Sequence, residues 1–163
     1  MRIEYSDQYN SDTSAEKLLT IDDKEVWDGA NTNYWILPNY STGIFILNLG
    51  CKQKFSGIRL VNTHNAEHKT RATKKFRNTI PVTCYFKYNV FIFRVYVSLT
   101  ESGPWTEALE AELEDSRQQE DPLSLQLISL ESEVLAQFVK FEASECWGKG
   151  CGLQYFDVQR SSQ

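Results

Sequence analysis

Apolar and polar residues alternate along short segments of this chain. In residues 136–143, AQFVKFEA, the apolar side chains are interleaved with Gln137, Lys140 and Glu142, which is typical of a strand with one buried face and one solvated face. Further strand-like runs occupy residues 43–49, 55–61, 91–99, 123–130 and 153–158, and stretches rich in turn-forming residues separate them. Short strands at this spacing predict a β-sandwich or a barrel.

Residues 106–120 depart from this pattern. Their sequence, TEALEAELEDSRQQE, consists of good helix formers and places Leu109 and Leu113 four residues apart, so the pattern predicts a helix. The alternative is a pair of strands that carry acidic side chains on an exposed edge, where the charges would discourage edge-to-edge association.

Length and composition favour a single all-β domain. The 163 residues are 41% hydrophobic, which is enough to bury a core without metals or disulfides. Four Trp, eight Tyr and nine Phe against one Met suit pleated surfaces better than helix bundles. A net charge of -5 argues against a nucleic-acid partner, because such binding depends on clustered Lys and Arg.

The sequence does not assign a compartment. The first ten residues lack the apolar core of a signal peptide, and the most apolar segment, residues 85–93, is interrupted by Lys87 and Asn89. We therefore expect neither secretion nor membrane spanning from these residues, and extracellular and cytoplasmic locations both stay open. The four cysteines suit either a disulfide framework or buried thiols. They are Cys51, Cys84, Cys146 and Cys151.

Several short motifs follow one another in order along nearly the whole chain. They are Trp27 with Tyr34 and Trp35, ILNLG at 46–50, IRLVN at 58–62, RATKKF at 71–76, SLTESGPW at 98–105, FVKF at 138–141 and WGKGCGLQYFDV at 147–158. Together they resemble the discoidin family, also called the coagulation-factor type C domain, within the galactose-binding-like superfamily. The resemblance implies a jelly-roll β-sandwich without catalytic activity that recognises its ligand through loops at one end.

The chain departs from this family at residues 78–94. The family runs directly from a segment like Phe76-Arg77 into one like Val95-Tyr96, so removing residues 78–94 restores the pattern. We interpret this segment, NTIPVTCYFKYNVFIFR, as a translated intron or a lineage-specific insertion within one domain spanning residues 1–163. Its apolar, β-prone character would favour aggregation if it were exposed.

The resemblance also bears on a metal and on a disulfide. Many relatives hold a structural calcium ion, for which Asp22 and Asp23 are candidate ligands here, but Tyr155 stands at the position of the late carboxylate ligand. Calcium needs six to eight oxygen ligands, so this replacement weakens the site. Cys146 and Cys151 flank a four-residue loop and can pair if their Cα atoms lie within about 7 Å.

Candidate ligand-binding residues lie in the loops that the resemblance brings together. Sugar sites in this superfamily combine an aromatic platform with Asn, Arg or His donors, and the planar guanidinium of Arg71 can bond two hydroxyls at once. Arg71 has a plainer alternative role, which is to tie loops together through bonds to carbonyls. We expect Trp27, Trp35 and Trp105 to pack internally. The candidate ligand-binding residues are Asn62, His64, Asn65, Arg71 and Trp147.

These observations favour recognition over catalysis. The string His64-Asn65-Ala66-Glu67-His68 matches a zinc-peptidase motif, but it follows a strand where that motif needs a helix. The leading prediction is an adhesion-type binding module for a carbohydrate or a protein surface. Two alternatives stay open: an intracellular protein–protein assembly subunit with the same fold, and an anionic-lipid binder, which the acidic balance disfavours. The oligomeric state is not predicted.

Overall fold

Antiparallel strands dominate the part of the chain that the computed structural model describes, which comprises residues 2–19, 34–39, 41–62, 71–73, 93–113, 125–148 and 151–161. Two short 3-10 helices, Ser11–Thr13 and Ala15–Leu19, lie between the first two strands. No helix among these residues is long and apolar enough to cross a membrane. The strands are β1 (Arg2–Tyr5), β2 (Trp35–Ile36), β3 (Gly43–Asn62), β4 (Arg71–Thr73), β5 (Phe93–Ser98), β6 (Thr106–Ala111), β7 (Gln126–Ala143), β8 (Cys146–Gly148) and β9 (Gly152–Arg160).

Two long strands, β3 and β7, each run through both layers of the sandwich. The first part of β3, residues 43–48, pairs with residues 138–143 of β7 and with β1, whereas its second part pairs with the earlier half of β7 and with β9. Between these parts the register shifts, and Gly50 has a φ of 84° that glycine adopts at no steric cost. We call this bend, with residues 134–138 of β7 beside it, the bend end.

An aromatic cluster joins the two layers. The ring of Phe141 on β7 stacks on Phe45 and on Phe93, with centroid distances of 5.1 Å in each case. Phe156 on β9 meets Phe141 edge-on at 5.5 Å, and Trp35 on β2 meets it at 6.3 Å. All these rings except Phe156 are 0% exposed, and Phe156 is 3% exposed. Burial of this much aromatic surface makes the cluster the main contributor to the core.

The predicted strands and the all-β sandwich are confirmed. Each of the six strand-like runs lies largely within β3, β5, β7 or β9. In β7 the alternation has the expected sense, because Val139, Phe141 and Ala143 are buried while Lys140 and Glu142 are partly exposed. The prediction that Trp35 packs internally is confirmed by its complete burial.

The predicted helix over residues 106–120 is wrong where the structure describes the chain. Residues Thr106–Ala111 form β6, an edge strand that pairs with β5. Pairing with a buried neighbour outweighs the helix propensity of the segment, which is worth only a fraction of a kcal/mol per residue. Glu107 and Glu110 lie on this edge, and the guanidinium of Arg94 donates to Glu110 at 2.8 Å. This arrangement matches the acidic edge strand considered as the alternative.

The segment interpreted as an insertion ends inside a strand. Phe93 and Arg94, its last two residues, belong to β5, and residues 78–92 lie outside the described ranges. Thr73 pairs with Cys146, and Phe93 pairs with Ala143. Thr73 and Phe93 are the described residues on either side of the gap at residues 74–92. Their pairing partners, Cys146 and Ala143, are only three residues apart in the sequence.

Candidate functional site

A small two-stranded ribbon lies at the end of the sandwich opposite the bend end. It consists of β4 and β8, which pair with each other and not with the main sheet. The last residue of β3, Asn62, and the beginning of β9 are at the same end, since Asn62 pairs with Leu153. We call this end, with β4, β8 and residues 151–153, the ribbon end. It is the end where the sequence placed the ligand-binding loops.

A disulfide anchors the ribbon to the sandwich. Cys146 and Cys151 are bonded with their Cα atoms 4.8 Å apart, which satisfies the distance condition set by the sequence. The carbonyl oxygen of Cys151 accepts a hydrogen bond from the backbone nitrogen of Leu37 at 2.9 Å. The sulfur of Cys146 lies 3.7 Å from the carbonyl oxygen of Ser41. These contacts hold Cys146 and Cys151, the two residues that flank the segment containing Trp147.

Arg71 and Trp147, two of the predicted ligand-binding residues, lie on this ribbon. Arg71 pairs with Gly148, and Ala72 pairs with Trp147, so positions 71 and 147 occupy adjacent rungs of one short ladder. In the sequence they are 76 residues apart. The backbone thus brings the predicted guanidinium donor and the predicted aromatic platform to one small structural unit.

Asn62, in contrast, is buried. Its side chain is 2% exposed at the last position of β3. Buried amides serve mainly to satisfy hydrogen bonds inside a protein. The burial favours a structural role at the strand end and does not support the prediction that Asn62 contacts the ligand.

Tyr34 adds a polar aromatic group beside β2. Its phenol is partly buried, and this burial raises its pKa above the ordinary value of a tyrosine. The group therefore stays protonated at physiological pH and keeps both its donor and its acceptor. The sequence identified Tyr34 through the motif it shares with Trp35, without assigning it a role.

The remaining predicted site residues lie outside the described ranges. These are His64 and Asn65, together with the candidate calcium ligands Asp22 and Asp23. Within the described ranges, His, Cys, Asp and Glu form no group of three that could hold a metal ion. The zinc-motif residues Glu67 and His68 are outside those ranges as well.

The position that corresponds to the late calcium ligand is engaged in another interaction. The guanidinium of Arg59 donates to the hydroxyl of Tyr155 at 3.1 Å and to Asp157 at 2.6 Å. Tyr155 is 5% exposed, and the Arg59 guanidinium carbon lies 5.9 Å from its ring centroid. A guanidinium at this position supplies positive charge where a cation site needs negative charge. The calcium prediction stays untested and receives no support from this cluster.

The architecture is shared with solved structures over almost the whole chain. A chitosan-binding module of a chitosanase/glucanase from Paenibacillus sp. IK-5 has a TM-score of 0.59 at 14% identity, over 96% of this chain and 92% of that one. The chain has the galactose-binding-like fold. Among other structures with this fold, CpGH89CBM32-5 from Clostridium perfringens, in complex with GalNAc-β-1,3-galactose, has a TM-score of 0.64 at 14% identity, over 97% of this chain and 94% of that one.

The same galactose-binding-like fold occurs both as a module solved by itself and as one part of a longer chain. The family 32 carbohydrate-binding module of Clostridium perfringens NanJ, in complex with galactose, matches over 91% of its length with a TM-score of 0.58 at 14% identity. In a putative alpha-L-fucosidase from Bacteroides thetaiotaomicron, by comparison, the match spans 28% of that chain. Neither protein-family models nor curated protein sequences match this chain.

Proposed function

We propose that this chain is a carbohydrate-binding module that holds a galactose-type sugar at the ribbon end and has no catalytic role there. The observation that carries the proposal is the nearly complete mutual coverage with sugar-binding modules. The chain corresponds to 94% of one module in complex with a galactose-containing disaccharide and to 91% of another in complex with galactose. The match therefore extends over a whole binding unit.

The ribbon supports this location for the site. Arg71 and Trp147 belong to the same two-stranded ribbon, and the disulfide and the Leu37 hydrogen bond hold the neighbouring backbone in place. Arginine can donate to two sugar hydroxyls at once, and an indole ring can pack on the apolar face of a pyranose. A site fixed by sheet pairing and a covalent crosslink loses little entropy on binding. We propose Arg71 and Trp147 as ligand contacts, with His64 and Asn65 as further donors.

Calorimetric titration with galactose and with GalNAc-β-1,3-galactose tests the proposal. We expect the parent chain to bind at least one of them, and we expect Arg71→Ala and Trp147→Ala each to weaken binding about tenfold or more. Loss of hydrogen bonds or of a stacking surface of this kind costs on the order of 1.5–3 kcal/mol. Failure of the parent chain to bind any neutral glycan on an array would contradict the proposal.

A matched control separates loss of a contact from loss of charge. Arg2 lies at the bend end with its side chain 74% exposed, and it forms a surface ion pair with Glu4. Such exposed pairs contribute little to stability. Arg2→Ala removes the same charge as Arg71→Ala and should leave sugar affinity unchanged. Equal weakening by both substitutions would count against a contact at Arg71.

A further inference from the structure

A concavity of about 650 Å³ opens at the bend end, far from the ribbon. Its size falls within the range of about 300–1,000 Å³ that is typical of small-ligand sites. Strands β3, β7 and β9 form its walls. The lining residues are Cys51, Lys52, Gln53, Lys54, Glu133, Leu135, Arg160 and Ser161.

The lining is basic in an acidic protein. Among the described lining residues, Lys52, Lys54 and Arg160 carry positive charges and Glu133 carries the one negative charge, so the described lining has a formal charge of +2. The whole chain has a net charge of -5. Clefts lined by charge of one sign focus the local field and attract ligands of the opposite sign. The sign of this concavity therefore favours an anion.

The three basic side chains are available to a ligand. None of them forms an ion pair with another described residue, whereas Arg2, Arg59 and Arg94 all have carboxylate partners. All three are exposed. The hydroxyl oxygen of Ser161, a residue that lines the same concavity, is buried and has no hydrogen-bond partner among the described residues. Buried hydroxyls are normally satisfied, so the hydroxyl of Ser161 is a donor that no described residue uses.

The backbone holds these groups in a fixed arrangement. Lys52 and Lys54 are two residues apart on β3, and Arg160 pairs with the next residue, Phe55. The backbone nitrogen of Ser161 donates to the carbonyl oxygen of Lys54 at 3.2 Å. The charges are thus grouped by sheet pairing.

We propose that this concavity is a second binding site, which takes an acidic oligosaccharide through its carboxylate or sulfate groups. Charge-assisted hydrogen bonds from Lys and Arg to such oxyanions are about twice as strong as neutral ones. None of the described lining residues is an aromatic on which a nucleobase could stack, which disfavours a nucleotide. Leu135 is 50% exposed and offers an apolar contact for the C–H face of a sugar ring. This inference is independent of sugar binding at the ribbon end.

Titration of the full chain, with affinity tags removed, tests the second site. The probes are a sulfated heparin tetrasaccharide, a galacturonate tetrasaccharide, a neutral galactose oligomer and hexaglutamate. We expect binding of at least one acidic saccharide that weakens as salt is added, because salt screens exposed charges. If only one of the two acidic saccharides binds, that result identifies sulfate or carboxylate as the preferred oxyanion. The proposal is overturned if neither acidic saccharide binds, or if hexaglutamate binds as tightly as they do.

Substitutions within the lining give effects of opposite sign. Lys52→Gln, Lys54→Gln and Arg160→Gln should each weaken acidic-saccharide binding about threefold to tenfold, and Glu133→Gln should strengthen it about twofold. Misfolding cannot produce the second effect. Arg94→Gln, which removes a positive charge on β5, is the control and should leave the affinity unchanged. Equal loss in Arg94→Gln and Arg160→Gln would show attraction by net charge and overturn the site.

Cys51 reports directly on occupancy. It lines the concavity, is exposed and is not in a disulfide. A saturating acidic saccharide should slow alkylation of Cys51 by iodoacetamide at least fivefold, as read by peptide mass spectrometry. Galactose should not slow it. Unchanged alkylation at saturation would overturn the location. Arg71→Ala should leave this protection intact, so the two proposed sites can fail separately.

Discussion

Phe141 contacts rings from both layers of the sandwich. It stacks on Phe45 and Phe93 and meets Trp35 and Phe156 edge-on. Its own side chain is 0% exposed. Aromatic pairs at these distances contribute about 0.5–1.5 kcal/mol beyond the burial of their area. The residue therefore links the strands of one layer to those of the other.

Replacement of Phe141 by alanine should be among the most damaging single changes in the core. We expect the free energy of unfolding to fall by about 3–5 kcal/mol, because the substitution leaves a cavity that its neighbours fill only in part. Denaturant titration measures this loss. Leu127→Ala, at a side chain that is 55% exposed, should change stability by no more than about 0.5 kcal/mol. If Phe141→Ala does not fold, Phe141→Leu should still fold, with a loss smaller than that expected for alanine.

Single residues were predictable from the sequence where burial alone decided their place. The burial of Trp35 followed from the size and apolarity of its side chain, whereas Trp105, predicted to pack internally on the same ground, is only partly buried. The burial of Asn62 did not, because a polar residue at the end of a strand could equally open a loop. Lys52, Lys54 and Arg160 were also missed, since Arg160 is more than a hundred residues from the lysines and only pairing between β3 and β9 groups them. Lys52 and Lys54 lie between the predicted strand-like runs 43–49 and 55–61, so no predicted strand marked them as neighbours.

Among the elements, β6 shows how pairing overrides local preference. Its sequence consists of helix formers, and no local pattern in it identifies a neighbouring strand. In the structure it completes the hydrogen bonding of β5, whose other side pairs with β7. Strand formation here depends on pairing with β5, which precedes β6 across residues 99–105, and not on the periodicity of β6 itself.

The connection between β4 and β5 provides a test of the insertion. Removal of residues 78–94 places Phe76 and Arg77 directly before Val95, where Phe93 and Arg94 now stand. Thr73 would then lie three residues before Phe76, the first residue of the shortened strand. This separation equals that of the pairing partners Ala143 and Cys146, so the connection can span the distance. We expect the shortened chain to fold with a free energy of unfolding within about 2 kcal/mol of the parent, since loop length carries only a small entropy term.

A substitution on each background makes this test specific. In the shortened chain, Phe76→Ala should cost about 3–5 kcal/mol, as Phe93→Ala should in the parent chain, because both remove the ring that packs on Phe141. Thermal and denaturant unfolding measure both effects. A shortened chain that is soluble only as aggregates, or that lacks the β-sheet circular dichroism of the parent, would show that residues 78–94 belong to the core.

At the scale of the whole molecule, the two layers are not separate units. The first half of β3 pairs within one layer and its second half pairs within the other layer. Strand β7 is divided between the two layers in the same way. One layer therefore cannot dissociate without disrupting strands that the other layer needs. This continuity should make unfolding a single cooperative transition.

Two optical probes test the cooperativity. Far-ultraviolet circular dichroism follows the sheet, and tryptophan fluorescence includes the fully buried Trp35 between the layers. We expect both signals to give the same denaturant midpoint and the same slope. Two midpoints that differ by more than experimental error would show that the layers unfold independently.

The candidate ribbon site was predictable in part. Motif order placed Arg71 and Trp147 in loops expected to be neighbours, and the structure pairs their strands. The register itself was not predictable, because two three-residue strands carry too few residues to encode a unique alignment. The sequence also left the pairing of Cys146 with Cys151 undecided. A disulfide depends on the distance between the two Cα atoms, and the sequence separation sets only an upper limit on that distance.

The bend in β3 also determines how the protein can be tethered. The first described strand begins at Arg2, opposite Asn48, and the last ends at Arg160, opposite Phe55, so both strand ends flank the bend. A sensor surface or fusion partner attached on either side would lie behind the sandwich, at the end opposite the ribbon that carries Arg71 and Trp147. The same attachment would crowd Lys52 and Arg160, so an immobilised sample would display one proposed site and obstruct the other.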